Sequence, residues 1–469
     1  ILADTLADAR LNTLVLDIGG LESTTHLSNN YADWDELVNE QQVGHYETRE
    51  ETTFLFGAQM ALGGRSLYWS GIILRMQDWE LAFWPDPIRD YLQNGGYERA
   101  EKLMRKRRTL GRFQQRVVDQ LQQNLPDVIT QDLPRSRHQP DFEDGEFPES
   151  VISASTGVFS TADLLSDSKA FVGDPGSQFL TVNLNHLVTE IRPDPNNPQL
   201  VTEVVCQDLI GNHTHVYRGH IVVLAAGSLE SPKIVLQSPL QDPSGKVGVG
   251  LTDHPYLFPG RTYKIPLGHP LGGHKNHAKV LLSASDASAD HNPFLAEMLI
   301  NPRFWHVRLA DDDLWNNLLE HERQTQVSFK FSFYSPLNDH NWVRSEGPGE
   351  KAAVKVQNTF VSDHHREQAR LFRNRVLEQG LGLQLSDFER NEPVFLPSHG
   401  GTVNHAGGTL RMDSPNGPGV VNTDLRFHAY DNLYAADVSV FPYIATANPS
   451  LTLGALVLRL ADHIKAQFD

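Results

Sequence analysis

The run Ile221-Val222-Val223-Leu224 is apolar at every position and stops at Ala225-Ala226-Gly227. A strand that is apolar on both faces must be covered on both, which is the condition of a parallel strand lying between helices. The residues at its carboxyl end are the smallest available, and that is the edge at which open α/β sheets take up their ligands. Ser231 and Pro232 then predict a helix that begins there, with serine as cap and proline as first residue. A second run, Thr13-Leu14-Val15-Leu16, ends in Asp17 and passes into Ile18-Gly19-Gly20. Two such strands make an α/β protein the expectation.

The second run has the form of the later half of a strand–helix–strand dinucleotide unit, in which an acid at the strand end takes the ribose hydroxyls. The opening strand and its G-x-G-x-x-G loop would come before Ile1. The expectation is that this chain lacks them, either because the sequence starts after them or because the protein does without them.

With 469 residues, two domains are expected. The net charge of −18 argues against binding a nucleic-acid backbone, which needs clustered Lys and Arg. No stretch reaches the roughly 18 apolar residues of a membrane span. The single cysteine, Cys206, sits in the strand-like Val204-Val205-Cys206 and reads as a small buried hydrophobe. One cysteine allows no intrachain disulfide, which fits a reducing compartment, so a cytoplasmic location is expected. The histidines His269, His274, His277, His306, His321, His340, His364, His365 and His399 show no metal-ligand spacing, and no metal is expected.

Elsewhere, residues 1–10 read as an amphipathic helix. Gly57, Gly63, Gly64 and Gly71 flank Arg65-Ser66-Leu67-Tyr68-Trp69-Ser70, a loop in which backbone can come close to something flat or anionic. Residues 88–108 read as a charged helix with a solvated face, and 121–150 as a loop or lid with little core of its own. Residues 180–216 suggest a small β-meander. Asp253-His254 ahead of Pro255 admits a catalytic reading, but a hydrogen-bonded corner is favoured. Short β-rich runs and a helix from 363 to 378 make residues 256–400 a mainly antiparallel sheet with helices to one side. Phe329, Phe331, Phe333, Trp342 and Tyr443 suit either a sugar-stacking wall or a packed core.

The last 70 residues are the most specific: Asn404-His405-Ala406-Gly407-Gly408-Thr409-Leu410-Arg411-Met412, then Asn432 to Pro442, then Asn448-Pro449-Ser450-Leu451-Thr452. With the loop at 63–69, the Ala-Ala-Gly strand end and Gly248 to Pro255, these motifs resemble the glucose–methanol–choline (GMC) family of flavoprotein oxidoreductases, with some likeness to its pyranose-oxidase branch. The resemblance implies a Rossmann-like FAD-binding domain built from discontinuous segments (1–80, 151–255 and 400–469). It also implies a lid region (81–150) and a substrate domain (256–399) with a mainly antiparallel sheet and flanking helices.

By motif match, Asp17 would hold the adenosine ribose and the backbone of Val188 would approach the adenine. Gly63, Gly64, Ser66, Tyr68, Trp69 and Ser70 would embrace the flavin, and Ala226 and Gly227 would lie at the strand end facing it. Asn404 would adjoin the ring, Asp437 and Val438 the pyrophosphate and ribityl chain, and Pro449 the pyrimidine edge. His405 would accept the hydroxyl proton of a CH–OH substrate such as a sugar, glycoside, polyol or other alcohol, and Asn448 would orient that hydroxyl. The electron acceptor would be oxygen or an organic or protein acceptor. Tyr68 stands where the pyranose-oxidase branch has a flavin-linking histidine, so the FAD is expected to be non-covalent. The alternatives are a non-redox lyase of the same fold and a flavin-free binding or scaffold homologue.

Overall fold

The computed structural model describes residues 1–30, 46–49, 52, 59–107, 112–137, 157–166, 177–266, 268–272, 278–301, 325–357, 361–394, 396–397, 404–415 and 417–468. Gly57, His274, His277, His306, His321, His399 and the segment 138–150 lie outside them.

Two parallel strand pairs carry the α/β half. Thr13–Leu16 runs beside Leu180–Asn183, and Val222–Leu224 beside Leu433–Ala435. The meander follows the first pair as three antiparallel strands, His186–Asp194, Asn197–Asp208 and Thr214–Arg218, with Cys206 fully buried. The helix after the second pair starts at Gly227, five residues before the predicted first residue Pro232, and runs to Leu236. Pro232 therefore lies inside it and cannot donate to the Ser228 carbonyl. The Thr409 hydroxyl donates to that carbonyl instead, at 2.8 Å, so the helix keeps its proline without an orphaned acceptor.

The C-terminal helix Ser450–Lys465 is rich in strong helix formers and ends with His463 and Lys465 in its last turn, where positive charge suits the helix dipole. It buries Leu451, Leu456, Leu460 and Ile464 in the larger core, each contributing roughly 1.5–3 kcal/mol. The N-terminal helix Leu2–Asp8 packs on it. So do Tyr97–Leu103 and the segment Leu92–Gly96 that joins it to the helix Asp86–Tyr91, and here the sequence reading needs correction. Ile88, Leu92, Tyr97 and Ala100 are buried, so this segment is a core element whose outer face alone is charged. No helix among the described residues is long and apolar enough to cross a membrane.

The other half is a seven-stranded antiparallel sheet, ordered Leu396–Pro397, Tyr256–Phe258, Thr325–Phe333, Phe294–Ile300, Ala278–Ala284, Val128–Asp132, with Tyr263–Ile265 also beside Thr325–Phe333. The strand Val128–Asp132 and the helix Arg112–Asn124 before it correct the reading of 121–150 as a coreless lid. Leu121, Leu125 and Val128 are buried at spacings that the surrounding Gln and Asp residues obscure.

Thr325–Phe333 sorts its residues by parity, as a pleated strand must. Val327, Phe329 and Phe331 pack into a core with Phe113, Val117, Phe294 and Phe372. Gln326, Ser328 and Lys330 point the other way and are half-buried. The phenylalanines are thus core, and the sugar-wall reading fails for them. Tyr443 is buried too, in an aromatic cluster with Trp84 and Phe83, while Trp342 carries the Arg344 guanidinium on its face at 4.2 Å.

Candidate active site

A backbone bridge builds the site. Gly407 N–H donates to the Thr252 carbonyl at 2.9 Å and Thr252 N–H to the Gly407 carbonyl at 3.2 Å. This sets the segments 252–254 and 405–407 side by side. Gly407 is required where the second of these passes residue 438, because a Cβ there would lie 2.6 Å from the Val438 carbonyl oxygen. Asp253 ties the two segments together. Its Oδ1 accepts the His254 N–H at 2.8 Å and its Oδ2 the His405 N–H at 3.1 Å. Burial pushes this carboxyl up to about 7, against the pull of those amides and of Arg65. Arg65 also donates to the Asn404 carbonyl at 2.5 Å, linking the glycine loop to the histidine.

His254 and His405 are hydrogen-bonded, with His254 Nε2 2.7 Å from His405 Nδ1. Their partners decide the tautomers. His254 Nδ1 lies 2.7 Å from the Ala445 carbonyl oxygen, which can only accept, so this nitrogen carries the proton. His254 Nε2 is then an acceptor, and His405 must donate to it from Nδ1. The lone pair of His405 is left on Nε2, and Asn448 Nδ2 faces it at 3.4 Å. Both rings are kept neutral. Burial lowers His254 to about 4, and burial followed by His254 and Arg65 holds His405 well below its usual value. Asp253, His254 and His405 bring possible metal-ligating atoms within 4.8 Å of one another, but those atoms are already engaged in the bonds just described.

Asn448 is positioned from the opposite side. Thr446 N–H donates to the buried Glu80 Oε1 at 2.6 Å and its hydroxyl to Oε2 at 3.1 Å. This clamp fixes residues 443–448 just before the C-terminal helix begins. Burial raises Glu80 to about 7.

The other sequence-assigned residues are held by local bonds of their own. Asp437 braces two turns: Oδ2 accepts from Gly227 N–H at 2.9 Å and Ser231 Oγ at 2.5 Å, and Oδ1 from Ser439 N–H at 2.8 Å. Val438 lies against Gly407 and Gly408, and Pro449 caps the last helix. Gly63 and Gly64 open a short 3-10 turn. Ser66 within it is committed to Gly63, Ser160 and Thr161. Trp69 donates to the Phe159 carbonyl at 2.7 Å, Tyr68 is buried, and Ser70 is exposed. Asp17 accepts from Gly19 N–H at 2.7 Å, and burial raises its pKa. Val188 lies on the neighbouring meander strand.

Ala225 and Ala226 are exposed at the carboxyl edge of their strand. A Cβ at Gly64 or Gly227 would meet nothing within 4 Å. Small residues over open space at a parallel strand end fit a large flat cofactor lying across them. Sequence reasoning passed over His254 as a corner residue. It also gave no role to Arg65, Glu80 or Ser332, whose importance comes from packing between distant segments.

A comparison with curated protein sequences gives no significant match. Residues 355–456 match the family model described as GMC oxidoreductase. Among solved structures, the chain is similar to pyridoxine 4-oxidase from Mesorbium loti, at 15% identity and a TM-score of 0.62, covering 98% of this chain and 97% of that one. It is also similar to formate oxidase from Aspergillus oryzae RIB40, a structure concerned with FAD modification, at 16% identity and a TM-score of 0.65, covering 99% and 96%. The C-terminal segment thus matches the GMC oxidoreductase family model, and the chain shares the fold of these two proteins over its length.

Proposed function

We propose that the protein is an FAD-dependent oxidoreductase acting on a CH–OH group of a small alcohol or carbohydrate. The observation that carries this reading is the bare His405 Nε2, aimed at the Asn448 amide and held by a neutral partner on its other nitrogen. Bound FAD would supply the hydride acceptor. Asp17, Val188, the loop 63–70, Ala226, Gly227, Asn404, Asp437, Val438 and Pro449 would hold it, without a covalent bond.

The chain's own part is to bind the hydroxyl between Asn448 and His405 and to take its proton on Nε2 as the C–H bond is broken. A hydroxyl oxygen that accepts from Asn448 Nδ2 keeps its proton directed at Nε2. The long 3.4 Å contact between the two side chains is one that a bound hydroxyl can replace with two shorter bonds. Burial matters as much as geometry, since an imidazole with a lowered pKa is unprotonated and ready at neutral pH. Both similar structures are oxidases by name, which favours a small-molecule donor, with oxygen or another acceptor regenerating the cofactor.

The test is anaerobic mixing of the purified yellow protein with a panel of alcohols, polyols and glycosides, followed by oxygen or a dye. Bleaching by at least one donor is expected, as is release of the flavin on acid precipitation. A colourless protein would favour the scaffold alternative, and a yellow one that no alcohol bleaches the lyase. Flavin that stays with the precipitate would overturn non-covalent binding.

A further inference from the structure

The sheet face turned away from the phenylalanine core carries an unusual set of buried polar groups. Tyr256 pairs directly with Ser332 across neighbouring strands, and Glu297 with Lys330. Lys279 reaches Glu297 diagonally, its Nζ 2.8 Å from Oε2. Glu297 is only 4% exposed in the middle of its strand, where a carboxylate has no place unless it is paired. Its pairing leads to His405. Tyr256 hydrogen-bonds both Glu297 and Ser332. Ser332 Oγ lies 2.9 Å from His254 Nδ1 and 2.8 Å from the Thr446 carbonyl oxygen. His254 Nε2 then accepts from His405 Nδ1.

We propose that His254 is the positioning residue of the site and the centre of a hydrogen-bonded chain, Glu297–Tyr256–Ser332–His254–His405. In this proposal the chain holds His405 in the tautomer with a free Nε2 and connects a remote carboxylate to it as counter-charge once it is protonated. The inference rests on the proposed function only in taking His405 as the proton acceptor.

The polarity along the chain is consistent. Burial raises Glu297, but Lys279 and Lys330 beside it more than reverse this, so it stays ionised. Tyr256, raised well above 10 by burial and then by Glu297, keeps its proton and can donate to that carboxylate. Ser332 accepts from His254 Nδ1, whose proton is shared between Ser332 and the Ala445 carbonyl, and the chain requires Ser332 to turn its own proton to the Tyr256 oxygen instead of the Thr446 carbonyl. Each donor on the His254 and His405 rings therefore points away from Nε2. The other charges facing the pair are Asp253, which holds both backbones, and Arg65, which opposes protonation of His405. Arg65 in turn faces Asp437, and Lys279 faces Lys330 and Arg135.

The test uses full-length protein with 15N-labelled histidine, whose ring-nitrogen shifts report tautomer and titration, with His405 assigned from a His405→Gln variant. Wild type is expected to show only the Nδ1–H form of His405 at neutral pH. His254→Leu is expected to give a mixture with Nε2–H, and His254→Gln, whose amide oxygen can accept the same proton, to restore the single form. Tyr256→Phe breaks the chain without touching either ring, and Glu297→Gln removes the charge. Each is expected to move the His405 titration to lower pH by roughly half a unit or more, because a negative partner favours the charged imidazolium. A single Nδ1–H form in His254→Leu, or an unchanged titration in Tyr256→Phe, would overturn the proposal. If Glu297→Gln leaves its lysines unpaired and does not fold, Tyr256→Phe decides the matter. These readouts need neither substrate nor turnover. The expected tautomer in a protein whose flavin no alcohol reduces would therefore sink the proposed function while leaving this chain standing.

Discussion

At the scale of single residues, the site depends on which nitrogen of His405 bears a proton. Its lowered pKa has a direct consequence for rate. The unprotonated base persists from neutral pH to well below 6.5, so flavin reduction should be flat through neutral pH and fall only in more acid solution. Anaerobic stopped-flow measurements across pH check this, and an acid limb centred at or above 6.5 would contradict it. His405→Ala is expected to slow reduction by roughly 10²–10⁴-fold, the usual worth of a positioned base. Asn448→Ala should cost about a hundredfold through misplacement of the hydroxyl. The sequence singled out these two residues because each sits in a distinctive setting, a histidine among glycines and an asparagine before proline, and the fold brings their side chains to 3.4 Å. His254 was passed over. Its local sequence describes a turn, and only the bridge between Thr252 and Gly407 brings it to a partner 151 residues away.

At the scale of elements, two segments depend on a single atom fitting. Gly407→Ala would press a Cβ against the Val438 carbonyl. Chemical denaturation is expected to show a loss of about 1–3 kcal/mol, the usual cost of overpacking. Thr409→Val would remove the hydroxyl that satisfies the carbonyl left over by Pro232, and the unpaired buried acceptor should cost a similar 1–3 kcal/mol. The same proline misled the sequence reading about where its helix starts. A Ser-Pro pair is a sound start signal when nothing else supplies the missing hydrogen bond, and here Thr409, from another part of the chain, supplies it. The strand Val128–Asp132 was missed for a related reason. Among the described residues it is the last strand on its edge of the sheet, its apolar Ile129 is exposed while its polar Thr130 is buried, and its partner lies far along the chain.

At the scale of the whole molecule, two buried carboxyls couple folding to pH. Asp253 and Glu80 are both raised to about 7 by burial. Between their ordinary values and about 7 the folded protein holds protons that the unfolded chain has released. Their contribution to stability is therefore complete in acid and is lost as pH rises toward 7. Thermal unfolding at a series of pH values should show Glu80→Gln varying less than wild type between about 4.5 and 7, and equal slopes would refute this. The general architecture was readable because continuous apolar strands require covering on both faces, whereas the alternating runs in 256–400 require it on one. The sequence could not show which distant segments meet, such as Glu80 with Thr446, or the polar chain from Glu297 to His254. The alternation in Thr325–Phe333 also bears on how such a protein can change. Odd positions serve the phenylalanine core and even ones the opposite face, where Ser332 meets His254, so replacing Gln326 or Ser328 changes that face while the core packing stays as it is. Inserting or deleting one residue in that strand would exchange the two faces at once. Divergence along this strand is thus open to substitution and closed to changes of length.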